Sequence, residues 1–171
     1  FDTIESLKEE NANFASVTFG AFGSTSHKTL EWTKYIKSTC QIATMMHLTC
    51  VGFTKEKLDD IFKSLIDNNI HNILALRGDM PNDLSKNSIA TDFRYASDMV
   101  SYIKKAGYDF CIGVAGYPET HPEAISPDSD IDMLKKKIDA GGDFIITQLF
   151  FDNDKFFIFR DKLARKGVNV P

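Results

Sequence analysis

Five nearly continuous apolar runs punctuate this 171-residue chain: Phe14–Phe19, Ile42–Cys50, Ile73–Leu76, Phe110–Ala115 and Phe144–Phe150. They start about thirty residues apart, the length of one βα unit. Runs that do not alternate apolar with polar predict parallel strands covered on both faces. The segments between them carry helical periodicity. Leu58, Ile61, Phe62, Leu65 and Ile66 share one helix face, as do Phe93, Ala96, Val100 and Ile103. Ile131, Leu134 and Ile138 mark a third helix, and Phe156, Phe159 and Leu163 a fourth. Thr54 is expected to cap the first of these, and Ser129 or Asp128 the third, which Gly141–Gly142 then closes with a left-handed turn. Two α/β architectures remain open. A five-stranded doubly wound sheet suits the length, whereas a (β/α)₈ barrel normally takes ~250 residues, so that five units would be an incomplete barrel. Length alone favours the open sheet.

Composition narrows the function classes. The chain is 43% hydrophobic and 26% charged, with a formal net charge of −4, as in an ordinary α/β domain. The acidic balance argues against nucleic-acid binding, which uses a basic patch. No apolar run approaches the ~20 residues of a membrane span, and the amphipathic, acidic Phe1–Glu10 segment is not a signal peptide. No membrane or nucleic-acid partner is expected, and a cytoplasmic setting is. The cysteines, Cys40, Cys50 and Cys111, form no Cys-x-x-Cys pair and read as buried small hydrophobes in a reducing compartment. The first residue is Phe, and Gly167–Val170 reads as the approach to a further strand, so the chain is expected to be an internal piece of a longer one.

Polar residues follow the C-terminal end of every run. They are Thr18 with Gly20–Ser24, then His47 and Thr49, then Arg77-Gly78-Asp79, then Tyr117 and His121, and finally Thr147 and Gln148. In either architecture ligands bind at the carboxyl ends of the strands. Each residue also has a plainer reading. His47 can be a hydrogen-bonded core histidine, and Arg77 with Asp79 a local ion pair. Lys135–Lys137 can be a solvated helix face, and Asp130 a first-turn carboxylate favoured by the helix dipole. Gln148, inside an apolar run, must find partners when buried, which points to a ligand or a network. Gly20-Ala21-Phe22-Gly23 is not a dinucleotide fingerprint, and no phosphate loop or nucleophile elbow occurs. No strand holds a lysine for Schiff-base chemistry, and no histidine spacing suits a metal.

Taken in order, these segments resemble the catalytic domain of the methylenetetrahydrofolate reductase family. The resemblance rests on Ser16-Val-Thr-Phe-Gly-Ala-Phe-Gly-Ser24, His47-Leu-Thr-Cys50, Asn72-Ile-Leu-Ala-Leu-Arg-Gly-Asp79 and Tyr95-Ala-Ser-Asp98. It continues through Val114-Ala-Gly-Tyr-Pro-Glu-Thr-His-Pro-Glu-Ala124, Lys137-Ile-Asp-Ala-Gly141 and Phe144-Ile-Ile-Thr-Gln-Leu-Phe-Phe151. It implies a (β/α)₈ barrel, here its second to sixth strands, so that residues 1–171 form one partial catalytic domain without a regulatory domain. It also implies FAD as cofactor, NADH or NADPH as reductant, and 5,10-methylenetetrahydrofolate reduced to 5-methyltetrahydrofolate by a homo-oligomeric enzyme.

By the same resemblance, Thr18, His47, Arg77, Gly78, Asp79, Ala96, Ala115, Tyr117, His121, Ala124, Asp130, Lys136 and Lys137 line the flavin. Asp79 and Gln148 carry the catalytic and substrate-facing roles. The family's general acid is a glutamate at the end of the first strand. That strand is expected before Phe1, since Glu5, Glu9 and Glu10 lie on the first predicted helix. The seventh and eighth strands are expected after Pro171, and Phe22 stands where the family often has a smaller residue. The isolated segment is therefore expected not to reduce folate. The alternative is a non-catalytic ligand-binding α/β module or an inactive remnant of the family.

Overall fold

The computed structural model describes residues 6, 12–18, 26–78 and 91–171. Strands β1 (Phe14–Val17), β2 (Ala43–Thr49), β3 (Asn72–Leu76), β4 (Cys111–Gly116) and β5 (Phe144–Thr147) coincide with the five predicted runs. Helices α1 (Ser26–Tyr35), α2 (Lys55–Ile66), α3 (Ala96–Ala106), α4 (Pro127–Asp139) and α5 (Asn153–Arg165) alternate with them. The last turn after α1, Ile36–Cys40, widens to π geometry and is closed by Gln41 at φ 56°, whose N–H donates to the Ile36 carbonyl.

Strand order decides between the two architectures. A doubly wound sheet reverses direction at a switch point. Here all pairs are parallel and the order is β1-β2-β3-β4-β5, each strand beside its predecessor. Right-handed crossovers then put every helix on one side. The sheet curls as an incomplete (β/α)₈ barrel, and the open sheet favoured by length is overturned.

Alternation along the strands separates two faces. Met46, Leu48, Ile73, Ala75, Ile112 and Val114 point outward and are at most 1% exposed. They meet Leu58, Phe62 and Leu65 of α2, Met99, Val100 and Ile103 of α3, Ile131 and Leu134 of α4, and Phe159 and Leu163 of α5 in one core. Phe62 anchors it with Tyr108 and Phe110, ring centroids 4.9 and 5.5 Å away. Met45, His47, Thr49, Leu74, Gly113, Ala115 and Phe144 lie on the opposite, concave face. Two cysteines behave as expected: Cys40 and Cys50 are buried, and burial pushes the Cys50 thiol up to about 12. Cys111 corrects the expectation, because it opens β4 on the concave side and is exposed.

Thr54 caps α2 as predicted, its hydroxyl accepting the Lys57 N–H at 3.5 Å. The cap of α4 is Ser126, not Ser129 or Asp128. Pro127, with its φ preset for a helix, occupies the first turn and moves the start upstream. Ser126 Oγ accepts the Ser129 N–H at 3.1 Å and Ser129 Oγ accepts the Ser126 N–H at 2.9 Å, a reciprocal box. Beyond the other end, Gly141 takes φ 118°.

A Cβ on Gly113 would stand 2.7 Å from two ring carbons of Phe144. Gly113→Ala is expected to destabilise the full-length protein by about 1–3 kcal/mol in urea unfolding. An unchanged midpoint would contradict this packing of the concave face.

Candidate functional site

The common direction of the strands brings their polar C-terminal residues to one edge. Thr18 ends β1, exposed, and its carbonyl accepts the Thr29 hydroxyl at 3.0 Å, which ties α1 to that edge. His47 on β2 is half-buried, and desolvation lowers its pKa, so its imidazole is neutral at pH 7. Two residues on, the Thr49 hydroxyl oxygen is buried and has no hydrogen-bond partner among the described residues. Gly78 closes over it at φ 85°, and a Cβ on Gly78 would lie 2.9 Å from Thr49 Cβ. Only glycine takes this backbone at this distance. The Arg77 carbonyl accepts the N–H groups of Cys50 at 3.3 Å and Val51 at 3.0 Å, which locks the end of β3 to that of β2.

The loop from β4 to α4 folds back over this edge. Arg77 reaches into that loop. Its two terminal nitrogens donate to both Glu123 oxygens at 2.6 and 3.0 Å, across 46 residues. The guanidinium holds the Glu123 carboxyl below the usual carboxylate range by hydrogen bonding and charge. Glu123 also donates its backbone N–H to His121 Nδ1 at 3.0 Å, which places the ring proton of a neutral His121 on Nε2. The His121 backbone N–H donates in turn to Asp130 at 2.9 Å, in the first turn of α4. The Tyr117 ring packs edge-on against the His121 ring, centroids 4.6 Å apart. Thr120, at φ 71°, makes the turn between them, its N–H bonded to the Tyr117 carbonyl.

The lysine run divides. Lys135 pairs with Asp139 at 2.7 Å and Lys136 is exposed, as a solvated helix face requires. Lys137 instead points inward and donates to the Ala115 carbonyl at 2.5 Å. Burial pulls its pKa down to about 8, against a smaller opposing effect of the Asp130 charge. Ala96, at the start of α3, is buried, while Ala115 and Ala124 are half-buried. Gln148 corrects the expectation of a buried amide. β5 ends at Thr147, so the side chain is exposed; its Oε1 accepts the Leu149 N–H at 3.0 Å, leaving the amide NH₂ to face outward. Its backbone N–H donates to the Gly116 carbonyl at 2.7 Å. Asp79 lies outside the described residues.

Arg77, Gly78, Tyr117, His121, Ala124 and Asp130 are thus joined through one network at the ends of β3 and β4, and Lys137 with Ala115 lies beside it, within reach of the Asp130 charge. Thr18 and His47 stand further along the same edge, β1 lying about 14 Å from β4 at ordinary strand spacing. The residue that reading the sequence missed is Glu123. In the sequence it is one acidic residue in a loop stiffened by Pro118 and Pro122, and its arginine partner lies 46 residues away. A cleft of about 270 Å³ also lies behind Tyr117, floored by Ile131, Ile158 and Phe159, but it opens between α4 and α5. Among the described residues no cluster of side chains is arranged to hold a metal ion.

An edge with two cations, a neutral imidazole, an unused buried hydroxyl and a glycine cradle fits an elongated, flat, anionic ligand. The fold is that of (β/α) barrel proteins. A lyase/mutase structure from Burkholderia cenocepacia J2315 superposes with a TM-score of 0.62 at 13% identity, over 95% of this chain and 61% of that one. 2,3-Dimethylmalate lyase, of the PEP mutase/isocitrate lyase superfamily, gives 0.64 at 8% identity, over 95% and 59%.

The chain belongs to the methylenetetrahydrofolate reductase family, whose sequence profile matches residues 1–171. Methylenetetrahydrofolate reductase (NADH) 1 of Arabidopsis thaliana is 41% identical over 100% of this chain and 31% of its own length. The 5,10-methylenetetrahydrofolate reductase of Escherichia coli K12 is 39% identical over 99% of this chain and 55% of its own. The chain therefore spans about half or less of these relatives.

Two outcomes follow from the geometry. Below pH ~8 Lys137 is charged in folded and unfolded chains alike, and its desolvation costs about 3 kcal/mol. Between about 8 and 10.5 only the unfolded chain keeps that proton, so this contribution makes stability rise with pH. Urea unfolding across this window is expected to show the rise in the parent protein and its loss in Lys137→Met; equal slopes would contradict the assignment. Thr49→Val removes the unpaired hydroxyl and is expected to stabilise the unliganded protein by about 1 kcal/mol, read from the same unfolding curves. A loss of stability would mean that the hydroxyl has a partner.

Proposed function

We propose that this chain supplies the flavin-binding wall of an NAD(P)H-dependent 5,10-methylenetetrahydrofolate reductase that yields 5-methyltetrahydrofolate. One observation carries the reading: the family's motif residues Arg77, His121, Asp130 and Lys137 converge on the ligand-binding edge of a curled parallel sheet. Residues 1–171 act as one partial catalytic barrel domain, with no regulatory domain among them. Bound FAD would supply the two-electron relay between nicotinamide and folate.

The chain's own groups hold and orient. Arg77 and Lys136 offer charge-assisted hydrogen bonds to a pyrophosphate. Lys137, drawn inward to the Ala115 carbonyl, would gain a countercharge from an anion that offsets its desolvation. Ala96, Ala115 and Ala124 leave room for flat rings, and Tyr117 and His121 wall them. Gly78 lets the β3 end approach closely, with Thr18, His47 and Asp130 completing the donor and acceptor set. Gln148 would offer its amide to the nicotinamide and the pterin in turn, and Asp79 would supply the carboxylate that the family resemblance assigns to flavin and folate. Transfer between stacked rings depends mainly on such positioning. The general acid is assigned to a glutamate outside these residues. The plant relative's name, which specifies NADH, favours NADH as reductant. The enzyme is placed in the cytoplasm as a homo-oligomer.

Purified full-length protein is expected to bind FAD, oxidise NADH and form 5-methyltetrahydrofolate. Gln148→Ala is expected to keep its flavin and lose roughly 10- to 100-fold in folate reduction. A colourless protein that leaves both NADH and NADPH untouched when FAD is supplied would overturn the proposal.

A further inference from the structure

We propose that Glu123 is a positioning residue, one that sets the pose of Arg77 with its carboxylate and the tautomer of His121 with its backbone N–H. The inference rests on the flavin-site reading above and extends it to a residue that carries no assigned role.

Two contacts converge on Glu123. Its carboxylate grips both terminal nitrogens of Arg77 at 2.6 and 3.0 Å, which fixes the guanidinium plane as well as its position. A monodentate contact or a lysine partner would leave that plane free to rotate. Its N–H donates to His121 Nδ1 at 3.0 Å, so the proton of a neutral imidazole sits on Nε2 and His121 presents a donor. The two bonds belong to one residue. Placing Arg77 from β3 therefore also places the loop from β4, and that loop reaches α4 through His121 N–H to Asp130 at 2.9 Å. The end of β3, the loop after β4 and the start of α4 are registered against one another through Glu123 and His121.

A purely structural ion pair at this exposure would be worth little. The side chains of Arg77 and Glu123 are 32% and 63% accessible, where solvent screens charge and the median pair contributes almost nothing to stability. Its geometry matters to the site instead. Arg77 Nε remains directed at the Gly78 carbonyl at 3.4 Å, so the bidentate grip also holds the glycine turn that closes over Thr49. The opposite role, a carboxylate that competes with the ligand's anion for Arg77, predicts the opposite sign in the same experiment.

The test uses the full-length protein and measures FAD affinity by flavin fluorescence, together with ¹⁵N spectra of histidine-labelled protein. Glu123→Gln is expected to weaken FAD binding roughly tenfold, with Arg77→Lys similar and the double variant no worse than either single one. Glu123→Asp, which keeps the charge, is expected to recover part of the affinity. In the parent protein His121 is expected to show a protonated Nε2 and a bare Nδ1, and in Glu123→Pro, which removes the donating N–H, the averaged shifts of two exchanging tautomers. Unchanged or tighter FAD binding in Glu123→Gln, additive losses in the double variant, or an unchanged single tautomer in Glu123→Pro would overturn the proposal. If the parent protein bound no FAD, the flavin reading would fall, and the imidazole spectra would still decide whether Glu123 positions His121.

Discussion

The sequential parallel pairing of five strands is the constraint on which everything else depends. Because each strand lies beside its predecessor, every crossover passes on the same side and every strand delivers its C-terminal residues to the same edge. The outward residues, Met46, Leu48, Ile73, Ala75, Ile112 and Val114, are then sealed under helices that supply Phe62, Met99, Ile103 and Leu134. The inward residues are left to line a concavity. Fold and site therefore have one origin, and reversing any one strand would carry its polar residues to the opposite edge.

At that edge the molecule keeps features that packing alone does not explain. Lys137 is drawn out of water toward a carbonyl, Thr49 carries a buried hydroxyl without a partner, and Gly78 and Thr120 hold left-handed backbone. Each carries a cost in the unliganded protein, and each lies at the end of β2, β3 or β4 or on the helix behind them. A bound anion with flat rings would offset the first two by completing charge pairing and hydrogen bonding. The Arg77–Glu123–His121–Asp130 chain shows how the loops are kept in register around that space.

Much of the fold could be read from the sequence because apolar runs and 3.6-residue periodicity report burial directly. The five strands lie within the predicted runs or overstep them by one residue, at Asn72 and Gly116, and Thr54 caps where its spacing says. Length misled, since an incomplete barrel and a complete open sheet contain the same number of units; only pairing order separates them. Local chemistry was legible less evenly. Pro127 shifted the α4 cap to Ser126, a one-turn displacement that a choice between Asp128 and Ser129 could not foresee. Lys137 looked like its two solvated neighbours because helix phase relative to β4 is a tertiary fact. Gln148 sat inside an apolar run, yet the strand ends before it, so its amide faces outward. Glu123 escaped notice because its partner Arg77 lies 46 residues away, and no local pattern marks such a pair.

The central claim is that the C-terminal edge of this sheet is the seat of a flavin dinucleotide. A crystal or cryo-EM structure of the full-length protein soaked with FAD tests it most directly. The account predicts flavin density along the ends of β1 to β4, with the pyrophosphate within hydrogen-bond reach of Arg77 or the α4 lysines and the His121 loop closed against it. FAD bound elsewhere on the protein, or an edge that stays empty at saturating FAD, would contradict it.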